Sequence, residues 1–83
     1  MNVNKDEQRL MLKMGNNMAS ARRFKKLSQV EAAGSLGISV QAIRNYEQGK
    51  RQTPANVIRS MVELYGCSPD YLLALTNNFE SHN

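Results

Sequence analysis

Apolar residues recur along this chain at helical spacing, and no segment shows the alternation of a strand. Leu10, Met14, Met18 and Ala21 fall at i, i+4, i+8 and i+11, one stripe of an amphipathic helix that ends near Lys26. Its start has two alternatives: residues 1–9 are polar and fray, or Lys5 to Lys13 lengthen the helix. Further starts are written in capping chemistry. Ser28-Gln29-Val30-Glu31 is a capping box, in which hydroxyl and carboxylate each satisfy a backbone N–H of the first turn. Ser39, Thr53 before Pro54, and Ser68 before Pro69-Asp70 place hydroxyl caps ahead of three more helices. Gly37, Gly49 and Gly66 follow helical patterns and supply stops. The fourth helix is expected to bury Val57, Ile58, Met61, Val62 and Tyr65, and the fifth Tyr71, Leu72 and Leu75.

This pattern predicts an all-α fold of five short helices in one domain over residues 14–75. Residues 1–13 form a polar N-terminal extension that is helical under the second alternative above, and residues 76–83 a polar C-terminal tail. At 83 residues the chain is too short for a doubly wound nucleotide fold or a barrel with an enclosed site. Cys67 has no second cysteine to pair with, and Cys67 with His82 is too few ligands for zinc, so no metal or cofactor is expected. Cys67 reads as a small core or capping-region residue, His82 as part of the tail, and Met14, Met18 and Met61 as core fillers. With no nucleophile beside a base, no carboxylate pair and no phosphate loop, an enzyme is not expected. The longest apolar run, Tyr71 to Leu75, cannot cross a bilayer, and the polar start Asn2 to Asp6 does not resemble a secretory signal. A cytoplasmic protein with no membrane partner is the expectation.

The net charge of +4 is modest, but its placement is informative. Between Arg22 and Arg51 lie seven basic residues and two acidic ones, so all of the net positive charge sits mid-chain. The same stretch holds two short helices joined by Leu36-Gly37-Ile38-Ser39, with Ala33 and Gly37 four apart, which is helix-turn-helix spacing. Projected at 100° per residue, the second of these helices puts Val40, Gln41, Arg44, Asn45 and Gln48 on one face, and Ala42, Ile43, Tyr46 and Glu47 on the other. The outward face holds no acid. It carries the side chains that read base edges: Gln and Asn match adenine, Arg matches guanine, and an apolar group touches the thymine methyl.

Leu27-Ser28-Gln29, Ala33-x-x-x-Gly37, Ile38-Ser39, Ile43, Tyr46-Glu47-x-Gly49-Lys50, Pro54 and Ser68-Pro69-Asp70-Tyr71-Leu72-Leu73 together resemble the Cro and phage-repressor type of helix-turn-helix proteins, the XRE family. The resemblance covers roughly residues 14–75. It implies a compact five-helix bundle of the lambda-repressor-like type and a sequence-specific DNA-binding regulator, by default a repressor, acting as a homodimer on a palindromic operator in double-stranded DNA. It assigns base contacts to Val40, Gln41, Arg44 and Asn45, and phosphate contacts to Ser28, Gln29, Lys50 and Arg51. Arg23, Lys25 and Lys26 are further phosphate candidates at the edge. Arg22 and Glu47 match a structural ion pair of the family, and Tyr71, Leu72 and Leu75, with Phe79, are the candidate dimer contact. The sequence departs from the pattern at three positions. Lys26 stands where glycine is common, Gly34 interrupts the second helix, and Ala32 replaces a larger apolar residue, so that the core there is either thinner or filled by Phe24. An antitoxin or adaptor whose partner is another protein is the alternative function. Such a role calls for apolar anchors on the third helix, which offers Val40 alone among polar residues.

Overall fold

The first helix takes the longer of its two alternatives. The structure, a computed structural model that describes residues 4–79, has α1 at Lys5–Phe24, α2 at Gln29–Leu36, α3 at Val40–Glu47, α4 at Ala55–Tyr65 and α5 at Pro69–Leu72. His82 and the rest of 80–83 lie outside the described residues. The polar start of α1 is held by local chemistry. Asn4 accepts the Glu7 N–H at 2.8 Å, Asp6 and Glu7 sit in the first turn, and Arg22 and Arg23 in the last, each favourable to the helix dipole. Burial does not explain this segment, since Leu10, expected on the buried stripe, is 48% exposed.

At its other end α1 closes with Leu27 N–H returning to the Arg22 carbonyl at 3.2 Å and Lys26 N–H to that of Arg23 at 2.8 Å. Lys26 adopts φ 59°, the left-handed conformation that glycine takes freely. The turn therefore keeps the shape that a glycine would give, at the cost of backbone strain in Lys26. The Ser28 capping box and the Ser39 and Ser68 caps form as expected. Thr53 does not cap α4. Pro54 is the N-cap, extended at ψ 148°, and its own carbonyl accepts the N–H groups of Val57 and Ile58, so the helix starts at Ala55. The Thr53 hydroxyl is directed instead at the Met18 sulfur, 3.6 Å away.

Helix α1 packs on α3, α4 and α5, while α2 packs on α3 and α4, around a core that includes Met18, Ala21, Ala32, Ala33, Ile43, Met61, Tyr65 and Leu72. The alanines keep the helix axes close. Ala32 is buried with no help from Phe24, which is 68% exposed and packs against Phe79 in a tilted pair with ring centroids 4.8 Å apart.

Helix α5 ends earlier than its apolar spacing implied. A second left-handed residue, Ala74 at φ 60°, terminates it after Leu72 and leaves Leu75 73% exposed rather than buried. Leu72 is fully buried in its own chain, so it moves from the candidate dimer surface to the core. The described part of the segment after α5 is tied to the fold. Ser68 N–H donates to the Phe79 carbonyl at 2.9 Å, and Phe79 packs between Phe24 and Tyr71, with its centroid 5.5 Å from the Tyr71 ring. Phe79 is thus an intramolecular contact.

Tyr65 is fully buried, and its hydroxyl alone among the described buried side-chain polar atoms lacks a hydrogen-bond partner. Burial, reinforced by the nearby Glu47 charge, pushes its pKa well above the usual 10. The folded chain thus keeps a proton that the unfolded chain releases, and this contribution is complete below about pH 10 and is lost as pH rises beyond it. Tyr65→Phe is expected to flatten this alkaline loss in urea titrations run at about pH 8 and about pH 11. At the lower pH it should be neutral or stabilising by about 1 kcal/mol, because an unsatisfied polar group is removed.

Candidate nucleic-acid interface

The interface is built outward from a buried ion pair. Arg22 of α1 meets Glu47 of α3 through two bonds, Nε to Oε2 at 2.7 Å and an Nη to Oε1 at 3.0 Å, with both side chains over nine-tenths buried. A third guanidinium nitrogen donates to the Leu27 carbonyl at 2.8 Å. The fork therefore joins the end of α1, the entry to α2 and the end of α3. Its hydrogen bond to Glu47 outweighs burial and raises the Arg22 pKa, so the guanidinium remains charged. Glu47 is the only acid on α3 and is turned inward.

Gln29 carries this anchor to the surface. Its amide nitrogen donates to Glu47 Oε1 at 3.0 Å, and its amide oxygen accepts from Arg44 Nε at 3.4 Å. One amide hydrogen of Gln29 remains without a bond to the protein. Arg44 is exposed and bonds Gln29 through Nε, so its two terminal nitrogens point to no protein partner. One turn earlier, the Gln41 amide donates to Asn45 Oδ1 at 3.1 Å. That leaves a Gln41 acceptor beside an Asn45 donor, the pair of functions that adenine N6 and N7 match. Val40 is half-buried against the core, with part of its side chain at the surface.

Around this face the basic residues take distinct positions. Lys50 and Arg51 are exposed in the loop after α3, where Lys50 N–H closes on the Asn45 carbonyl at 2.9 Å. Arg23, Lys25 and Lys26 are exposed at the end of α1. Ser28 is more committed than its phosphate assignment implies. Its hydroxyl accepts Glu31 N–H and its own N–H donates to the Glu31 carboxylate, each at 3.0 Å, leaving the hydroxyl hydrogen as its free donor. Those bonds hold the Glu31 carboxyl below its usual pKa.

Sequence reasoning did not find Gly15. A methyl group there would sit 2.6 Å from the Tyr46 carbonyl oxygen and closer still to that of Glu47. The last turn of α3 thus rests directly on the backbone of α1, and Gly49, just beyond, lies against Leu12 in the same way. A lone glycine in the middle of an amphipathic stripe was the available signal.

A short helix with an exposed polar face, held by a buried ion pair and flanked by basic loops, marks a helix-turn-helix domain of the DNA-binding kind. The helix-turn-helix family HTH_3 matches residues 18–72, and the chain belongs to it. This is a family of DNA-binding transcription regulators and not of enzymes, and the fold is lambda-repressor-like. Among solved structures the chain is similar to the restriction-modification controller protein C.AhdI from Aeromonas hydrophila, at 24% identity and TM-score 0.70 over 75% of this chain and 94% of that one. It is similar to the clp gene regulator ClgR from Corynebacterium glutamicum, at 22% identity and TM-score 0.73 over 78% and 69%. It is also similar to the P22 c2 repressor protein in complex with synthetic operator 9T, at 27% identity and TM-score 0.67 over 71% and 89%. No curated protein sequence matches. Among the described residues no helix is long and apolar enough to cross a membrane, and no cluster of His, Cys, Asp or Glu could hold a metal ion.

Proposed function

We propose that this chain is a cytoplasmic repressor that binds a palindromic operator as a homodimer, with α3 of each copy in successive major grooves and half-sites roughly 34 Å apart. The observation that carries this reading is the exposed, acid-free face of α3, with Gln41, Arg44 and Asn45 presenting unused hydrogen-bonding groups. In this reading Val40, Gln41, Arg44 and Asn45 contact bases, while Ser28, Gln29, Lys50 and Arg51 contact phosphates. Repression follows from occlusion of the promoter by the bound dimer. Its likeness to a controller, a gene regulator and a repressor on operator DNA supports the reading.

Selection from a randomised duplex library at about 0.15 M salt tests it. A palindrome with half-sites one helical turn apart is expected, and flat enrichment would overturn the proposal. On the selected site, Gln41→Ala or Arg44→Ala should cost about 1–3 kcal/mol and little on random DNA. Lys50→Ala should weaken all sites alike and lower the salt slope by about one. Equal losses on both kinds of DNA for Gln41→Ala would remove that residue from the base-reading set.

A further inference from the structure

A groove of about 270 Å3 runs between the N-terminal half of α1, the loop after α3 and the ends of α4 and α5. Leu10, Met14, Ile58 and Leu73 line it, with the exposed Glu7 and Arg51 also at its edge. Leu10 is 48% exposed and Leu73 37%, so the chain leaves an apolar surface uncovered here. Glu7 is bonded only within its own first turn, and Arg51 makes no ion pair among the described residues.

We propose that this groove is the face on which a second copy of the chain docks. The inference deepens the homodimer reading above and rests on it. Charge complementarity selects the occupant. In a two-fold pair, residue i of one copy meets j of the other and the reverse, so a surface carrying one unpaired acid and one unpaired base beside an apolar seam is complementary to itself. In the DNA-free dimer Glu7 of each copy then faces Arg51 of the other, while the Leu10 and Leu73 side chains fill the two grooves. The place is also right for paired reading helices. Arg51 and Thr53 belong to the loop that follows α3, and Tyr46 of α3 itself lines the groove. The groove therefore adjoins the C-terminal end of α3. Glu7, Leu10 and Met14 precede residue 18, where the family match begins, while Tyr46, Arg51, Thr53 and Ile58 lie within it.

The test is sedimentation velocity of the full chain without DNA, over a concentration series. Leu10→Glu should raise the dimer Kd about tenfold or more, with the thermal melt unchanged at concentrations low enough that both proteins are monomeric, since Leu10 is half-exposed on a helix surface. Glu7→Arg should weaken the dimer, and Arg51→Glu added to it should restore association by reversing the pair. Leu75→Glu, on the exposed residue beyond α5, should have no effect. A dimer that survives Leu10→Glu but dissociates with Leu75→Glu overturns the proposal in favour of the α5 side, and a wild-type monomer both free and on palindromic duplex overturns it outright. Binding to a single half-site duplex separates this idea from the functional reading. Leu10→Glu should keep half-site affinity and lose affinity for the palindrome. A wild type that dimerises through Leu10 yet prefers no duplex sequence would sink the operator reading alone.

Discussion

Arg22→Ala is expected to destabilise the fold by about 3–5 kcal/mol, because it leaves the Glu47 carboxylate buried without its counter-charge. Against a total of roughly 5–15 kcal/mol for a domain, that is enough to lower the urea midpoint substantially or unfold the chain at ambient temperature. The magnitude comes from abandonment of Glu47 and not from the net worth of the pair, since desolvation offsets much of an intact pair's attraction. Arg22→Lys should recover little, because an ammonium cannot reproduce the two bonds to Glu47 and the third to the Leu27 carbonyl. The loss should also reach the reading face through Gln29, which donates to Glu47 and accepts from Arg44. Urea unfolding of Arg22→Ala within about 1 kcal/mol of the wild type would show that Glu47 finds water or another donor readily.

Gly15→Ala is expected to cost about 1–3 kcal/mol or more, although alanine is the better helix former. The added methyl would press on the Tyr46 and Glu47 carbonyl oxygens, which are backbone atoms that no rotamer change can withdraw. The last turn of α3 must therefore lift from α1, taking Glu47 away from Arg22 and tilting the face that carries Gln41 and Arg44. The thermal midpoint should fall by roughly 4–8 °C for each kcal/mol lost, and affinity for the selected operator should fall more than affinity for random DNA. Gly34→Ala is the matching control, a helical glycine with nothing within 4 Å of the added methyl. There, helix propensity acts unopposed and should stabilise by about 1 kcal/mol. Equal effects of the two substitutions would mean that the α1–α3 crossing does not set the position of the reading helix.

Much of this interface was legible in the sequence because the deciding interactions are local. The Ser28, Ser39 and Ser68 caps satisfy N–H groups three residues away, and all formed. The division of α3 into an inward Ile43, Tyr46 and Glu47 and an outward Gln41 and Arg44 follows from helical periodicity alone. Thr53 failed as a cap where the adjacent proline supplied its own carbonyl to the first turn. Leu75 failed as a core residue because a left-handed Ala74 ended α5 before the apolar spacing did.

The sequence by itself determined the serine-capped starts of α2, α3 and α5, the glycine stops at Gly37 and Gly66, which side of α3 faces out and where the positive charge gathers, since each depends on neighbours within about a turn. Tertiary structure alone decided that Gly15 is the seat of α3, and that Gln29 bridges Glu47, 18 residues away, to Arg44. It also decided that Phe24 pairs with Phe79 instead of filling the space beside Ala32, and that Leu72 is core. These contacts arise where elements distant in the chain cross, and their positions depend on how the whole core packs, which no local pattern encodes.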